Sequence, residues 1–312
     1  MALAVVMVAL LAGACTTAPR CTPTRKRKCP RPPATAAPTI TAPRRPAAEK
    51  TAVFSGLGSW ADVYDWSPSF SSRPRFTVDR VDLLADAGVQ VLFIQSAKAN
   101  RPEELLDPTT FAAIVARAKA RGLRVVSWYL PAHLDSAADV RRLVAPLKYG
   151  VDGIAMDIES TDQKDIDARN QSLILEAIFT RAVLPDVAMA AIVLPPVVTD
   201  VLNLNYWPRF PWTTLAPVFD AWMPMGYWTN RTPASGYRNG ETYTNENIDR
   251  LRANLGLPNA PVHPVGGIAD KVTAEELAGF VASTQSRQTI GGSLYDDTTG
   301  PDLYAQLQLL RR

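Results

Sequence analysis

Residues 150–160 read GVDGIAMDIES, a short apolar run that closes on two carboxylates, Asp157 and Glu159. Residues 151–159 are nearly continuous in apolar side chains, as a strand buried on both faces is. Seven other runs share that character: AVFSGLGSW (52–60), VQVLFIQSA (89–97), LRVVSWYLP (123–131), VAMAAIVLP (187–195), FDAWMPMGYW (219–228), PVHPVGGIA (261–269) and TIGGSLYDD (289–297). The quoted stretch is the fourth of these eight strands.

Helical patterns lie between them. FTVDRVDLLADAG places Val78, Val81 and Leu84 on one face and stops at Gly88; DPTTFAAIVARAKARG has Asp107 as N-cap, Pro108 in the first turn and Gly122 as its stop. TAEELAGFVAS opens with a capping box, Thr273 with Glu276. Helices are also expected at 136–147, about 165–183, 244–256 and 301–312, while 196–217 has no clear type and 229–243 reads as a long loop. Eight strand–helix units in about 260 residues predict a (β/α)8 barrel, an α/β TIM barrel over 51–312. A doubly wound open sheet would place G-x-G-x-x-G after its first strand, and GLGSWAD does not continue that way.

In such a barrel, ligands bind at the C-terminal ends of the strands. Strand alternation puts Gly153, Ala155, Asp157 and Glu159 on one face and Ile154, Met156 and Ile158 on the other. The greasy set belongs under the helices, which turns both acids into the mouth. Two carboxylates held this close and out of water raise each other's pKa, the preparation a general acid needs at neutral pH. The plain structural alternative pairs one acid with an arginine and leaves the other in solvent. All seven tryptophans fall at strand ends or in loops, where rigid aromatic faces suit sugar rings; Trp222 and Trp128 also suit a role as bulky caps on the barrel core.

DGIAMDIE at 152–159 resembles the fourth-strand signature D-G-x-D-x-D-x-E of glycoside hydrolase family 18, the chitinase-like barrels. Asp152, Gly153, Asp157 and Glu159 match, and Ala155 replaces the middle Asp. DAWMPMGYW is similar to that family's M-x-Y-D, with Met225 and Tyr227 matching and Trp228 in place of the Asp; Tyr295 stands where a chitinase commonly has Trp. The resemblance implies a substrate-assisted retaining hydrolase. Glu159 would act as general acid while Asp157 and Tyr227 position the acetamide of an N-acetylated or wall polysaccharide. Trp60, Asp62, Asp65, Trp128, Met225, Trp228, Tyr295 and Asp296 are the expected substrate-binding residues.

The chain is similar more loosely to the family 25 lysozyme-like barrels, which end a fourth strand in D-x-E and place an Asp near the first strand, as Asp62 and Asp65 stand here; peptidoglycan would then be the substrate. A general two-carboxylate hydrolase would pair Glu159 with Asp296, Asp297 or Asp270. A non-catalytic sugar-binding barrel is the rival from outside enzymology, motivated by Ala155 and Trp228.

No cofactor or metal is expected. Beyond residue 50 there is no cysteine, and His133 and His263 are the only histidines, so zinc clusters, a Cys nucleophile and a metal-dependent phosphoesterase have little to build on. No G-x-S-x-G elbow is present.

The first fifty residues are of another kind. MALAVVMVALLAGAC is a short apolar run ending in small residues and Cys15, the pattern of an export signal over 1–14. LAGAC resembles a lipobox, which implies lipidation of Cys15 and a membrane anchor outside the cell; as an ordinary secretory signal it would release the protein instead. Residues 15–50 are rich in Pro, Ala, Thr and Arg and should form an extended spacer. RKRK at 25–28 suits contact with an anionic wall polymer as well as plain solvation, and Cys21 and Cys29 beside it can pair in an oxidising compartment. Nucleic acid is not an expected partner for an exported chain.

Overall fold

The computed structural model describes residues 45–312; Cys15, the signal segment and most of the basic spacer lie outside the described residues. Eight parallel strands follow in chain order: β1 Gly56–Ala61, β2 Val91–Gln95, β3 Arg124–Tyr129, β4 Gly153–Ile158, β5 Ala188–Val193, β6 Ala221–Pro224, β7 Val265–Ile268 and β8 Gly291–Tyr295. Each of β1 to β6 pairs with its neighbour in sequence and β8 pairs with both β1 and β7; parallel bridges Trp222–Val262 and Met225–Val265 join β6 to the β7 segment and close the ring. The α-helices are α1 Ala47–Ala52, α2 Val63–Trp66, α3 Val78–Asp86, α4 Pro108–Ala120, α5 Ser136–Val144, α6 Ile166–Val183, α7 Trp212–Leu215, α8 Gly240–Leu255, α9 Ala274–Ser286 and α10 Tyr304–Leu307. The (β/α)8 expectation holds.

Helix starts follow local chemistry. Thr273 Oγ1 accepts from Glu276 N at 3.2 Å and Glu276 Oε2 accepts from Thr273 N at 3.1 Å, which closes the capping box of α9. Asp165 Oδ1 accepts from the amides of Asp167 and Ala168, both at 2.9 Å, at the start of α6. Asp107 holds the N-cap place of α4 without capping it: its carboxylate accepts from Ser67 and Ser69 instead, pinning the loop after α2.

Three boundaries differ from the sequence reading. Strand β1 begins at Gly56 instead of 52, because α1 and the turn after it end in Val53 and Phe54, which enter the barrel interior as a plug at its N-terminal end. Asn239 caps α8 through Thr242 N at 2.8 Å, so the supposed loop to 243 ends four residues earlier, at 239. The C-terminal segment is a chain of short turns around α10, with Leu303, Leu307 and Leu310 buried.

The interior and the outer layer divide as alternation requires. Ile154, Met156 and Ile158 pack with Leu143, Leu173 and Ala177 under α5 and α6, whereas Ala155 belongs to the interior cluster with Trp60, Phe93 and Trp128. Gly153 shares the interior face at the plugged end. A Cβ there would lie 3.0 Å from Val53 Cγ1 and from the Ala188 carbonyl oxygen, tighter than ordinary contact, so the close approach favours glycine. Asp152 is structural: it accepts from Val125 N at 2.8 Å and pairs with Lys119, at the end of the barrel away from the mouth.

Candidate active site

Strand β4 carries Asp157 to the mouth and Glu159 follows it by one residue past the strand end. Both line a cavity of about 310 Å³, together with Tyr227 and Met225 after β6, Tyr295 at the end of β8, Trp60 of β1 and Trp128 of β3. Asp157 is 5% exposed, and its Oδ1 has no hydrogen-bond partner among the described residues. Burial and the neighbouring Glu159 charge push the Asp157 carboxyl well above the usual carboxylate range; burial raises Glu159 as well. The Tyr227 hydroxyl is held neutral by burial first and then by the charges of Asp157, Glu159 and Asp296. No arginine pairs with Asp157 or Glu159 among the described residues, so the plain structural reading of the acids does not apply.

The aromatic floor is rigid. Trp60 stacks on Phe93 with centroids 4.3 Å apart and meets Trp128 edge-on at 6.1 Å, while Tyr295 bridges towards Tyr227 at 5.7 Å. A buried hydrogen-bond chain fixes Trp60: its Nε1 donates to Ser293 Oγ at 2.8 Å, Ser293 lies 3.0 Å from His263 Nε2, and His263 Nδ1 lies 2.8 Å from the Phe54 carbonyl oxygen. The carbonyl can only accept, so Nδ1 carries the proton, Nε2 accepts, and the imidazole is neutral. Burial pulls its pKa down to about 4.

Asp62 reaches the cavity wall, where its Oδ2 accepts from the Tyr295 hydroxyl at 3.1 Å. Asp65 does not. Its carboxylate completes the capping box of α2 and pairs with Arg75 at 2.8 Å, and burial beside Asp62 raises its pKa to about 6. Arg75 also binds Asp296 and Asp297, and Arg80 binds Asp297 at 2.6 Å. Asp296 and Asp297 therefore turn to these arginines, and Asp270 is exposed; none of the three lines the cavity with Glu159. Trp228 is the clearest correction among the expected sugar contacts. It is fully buried outside the barrel, 5.4 Å from Phe280 of α9, because the chain leaves the strand after Pro224 and Trp228 opens a 3-10 turn over Trp228–Asn230. Of the other tryptophans, Trp66, Trp207, Trp212 and Trp222 also lie away from this cavity, and Trp66 and Trp212 sit in short helices, not in loops.

Sequence reading missed Gln95, Lys98 and Tyr64 in the wall. Gln95 and Lys98 fall at and just beyond the end of an apolar strand, the same signal that marked Asp157 and Glu159. It also missed a fully buried group of His133, Asp139 and Glu176, whose donor atoms lie within 4.8 Å of one another. All four carboxylate oxygens there already accept from protein donors: Tyr129 Oη at 2.5 Å, His133 N at 3.0 Å, Ser136 Oγ at 2.9 Å and His133 Nδ1 at 2.8 Å. That arrangement holds the loop after β3, and with Nδ1 donating to Glu176 it leaves His133 Nε2 without a partner among the described residues.

No protein-family model and no curated protein's sequence matches the chain. Solved structures do. A GH18 chitinase from Cycas revoluta in complex with (GlcNAc)4 superposes with a TM-score of 0.60 at 12% identity, over 81% of this chain and 98% of that one. A chitinase from Chromobacterium violaceum gives 0.58 at 13% identity over 83% and 99%. The Bacillus cereus spore cortex-lytic enzyme SleL gives 0.59 at 11% identity over 83% and 75%. With sequence identity this low, what the chain shares with them is the fold, that of a chitinase-like (β/α)8 barrel.

Proposed function

We propose that the protein is a glycoside hydrolase acting on a polysaccharide, with Glu159 as general acid and Asp157 and Tyr227 holding the sugar beside it. The carrying observation is the pair Asp157 and Glu159 at the cavity floor, both with raised pKa values and without a cationic partner among the described residues. The chitinase-like fold supports the reading. Glu159, whose pKa is raised by burial, gives its proton to the glycosidic oxygen as the bond to the anomeric carbon breaks. The acetamide oxygen of an N-acetylated sugar attacks that carbon, with Asp157 accepting its N–H and the Tyr227 hydroxyl on its oxygen. Water then opens the cyclic intermediate and returns a proton to Glu159. Trp60 and Trp128 supply the apolar face for the ring.

Glu159→Gln tests the reading on fragments of chitin, peptidoglycan and α-glucan. Wild type should cleave one class, and the variant should lose about a thousandfold in kcat while still binding it. A wild type that binds a glycan but cleaves none would favour the second reading, a sugar-binding barrel, for which Ala155 in place of a third carboxylate is the specific observation. The same proposal places the protein outside the cytoplasmic membrane, tethered through Cys15, with glycan as substrate. Mass spectrometry of the mature N-terminus should find acylated Cys15; an unmodified terminus beyond it would dispose of the anchor.

A further inference from the structure

The cavity wall carries three carboxylates, Asp62, Asp157 and Glu159, and one ammonium, Lys98. Lys98 lies just past β2. A second hollow of about 180 Å³ opens there, sharing Gln95, Lys98 and Leu130 with the main cavity as its wall. Lys98 therefore stands where one sugar would leave the floor and the next would enter the adjoining space.

Its bonding is unusual for a lysine among acids. Nζ donates to the Tyr64 hydroxyl at 2.7 Å, a neutral acceptor, and makes no ion pair among the described residues. The arginines near the mouth are engaged: Arg75 holds Asp65, Asp296 and Asp297, and Arg80 holds Asp297. A half-buried ammonium with a neutral partner keeps two N–H groups for a ligand.

We propose that Lys98 recognises a carboxylate on the glycan, so that the substrate is an acidic sugar chain whose charged unit sits at the junction of the two spaces. This deepens the glycan reading above and rests on it. The acids sharpen the specificity. Asp62 repels an anion on its side of the main cavity, Asp157 and Glu159 offer one no cation, and the exposed Asp162 repels one along the wall of the second hollow, which leaves the wall beside Lys98 as the position a carboxylate can take. A muramic acid lactyl group and a uronic acid offer the same chemistry.

The test uses the full chain carrying Glu159→Gln, so that ligands stay intact, in calorimetric titrations at low and high salt. The probes are a tetrasaccharide alternating N-acetylglucosamine and N-acetylmuramic acid, its methyl ester, a hyaluronan tetrasaccharide and chitotetraose. At least one free acid should bind roughly tenfold more tightly than its neutral counterpart, the ester or chitotetraose, and the gap should shrink in high salt. Whichever acid shows the gap identifies the source of the carboxylate. Adding Lys98→Met should bring the ratio near one, and Lys98→Arg should keep it. Equal binding of acids and neutral counterparts, or a ratio that survives Lys98→Met, overturns the proposal while leaving the glycan reading in place. Failure of all four ligands to bind overturns both.

Discussion

The barrel buries titratable groups towards both of its ends and treats them in opposite ways. Near the plugged end, His263 has both ring nitrogens engaged, by the Phe54 carbonyl and by Ser293, and the chain continues to Trp60. At the mouth, Asp157 is nearly as deeply buried, yet Oδ1 has no partner among the described residues. A satisfied buried group holds a fold together, while an unsatisfied one is costly unless a ligand completes it. The contrast separates the part of the interior that fixes the aromatic floor from the part that works on what lies upon it.

The largest expected break in that contrast is at Asp157. Asp157→Asn should lower kcat by about a hundredfold or more, measured on whichever glycan wild type cleaves. The same variant should be more stable than wild type near neutral pH by about 1 kcal/mol, because it removes a carboxylate that folding must either protonate or strip of water. The sign follows from the raised pKa. A carboxyl lifted in the folded state is favourable below its ordinary range, and that contribution is lost as pH rises through the lifted value, so the gap between variant and wild type should widen with pH. Urea midpoints across a pH series check this. For the same reason activity should fall on the alkaline side, as Glu159 loses its proton.

His263 should behave in the opposite sense. His263→Leu leaves the Phe54 carbonyl and the Ser293 hydroxyl without their partner and should cost about 3 kcal/mol at pH 7. Because burial lowers the imidazole from 6.5 to about 4, its contribution is complete above 6.5 and is lost as pH falls through 4, a loss of about 3 kcal/mol. Wild type should therefore weaken between those values more steeply than His263→Leu. Parallel acid limbs for the two proteins would show that another group controls acid stability.

How much of this was legible in the sequence depended on the distance between partners. The parity of residues 153–159 needs no partner beyond the sheet itself, and the structure follows it, with Ala155 inside and Ile154, Met156 and Ile158 under the helices. Parity stops with β6 at Pro224: Trp228 opens a 3-10 turn that carries it outward, whereas the motif match points it to the mouth. Asp65 and Asp296 looked like mouth acids because Arg75 lies 10 residues from one and 221 from the other, a pairing that no local pattern announces. The chain from His263 to Trp60 spans 30 residues and then 233, which hid the function of a histidine that had been weighed only as a ligand. Val53 and Phe54 read as the start of a strand because a plug and a buried strand are equally apolar.

The smallest expected effect concerns the position where the resemblance breaks. Ala155 is fully buried, beside Trp128 and Ala190 in register and within the cluster that holds Trp60 and Phe93. Ala155→Asp would place a carboxyl on the same face as Asp157, two residues below it. In that apolar layer the new group stays protonated and can donate to the unpartnered Asp157 Oδ1, a gain of about 1 kcal/mol. The added atoms must crowd a layer that an alanine fills now, at a cost of about 1–3 kcal/mol. The net expectation is a loss of about 1 kcal/mol in urea unfolding at pH 7, much less than His263→Leu produces at the plugged end. If the missing carboxyl limits catalysis, kcat should rise in spite of that loss; a variant that is destabilised with kcat unchanged would mean that Asp157 and Glu159 work as a complete pair.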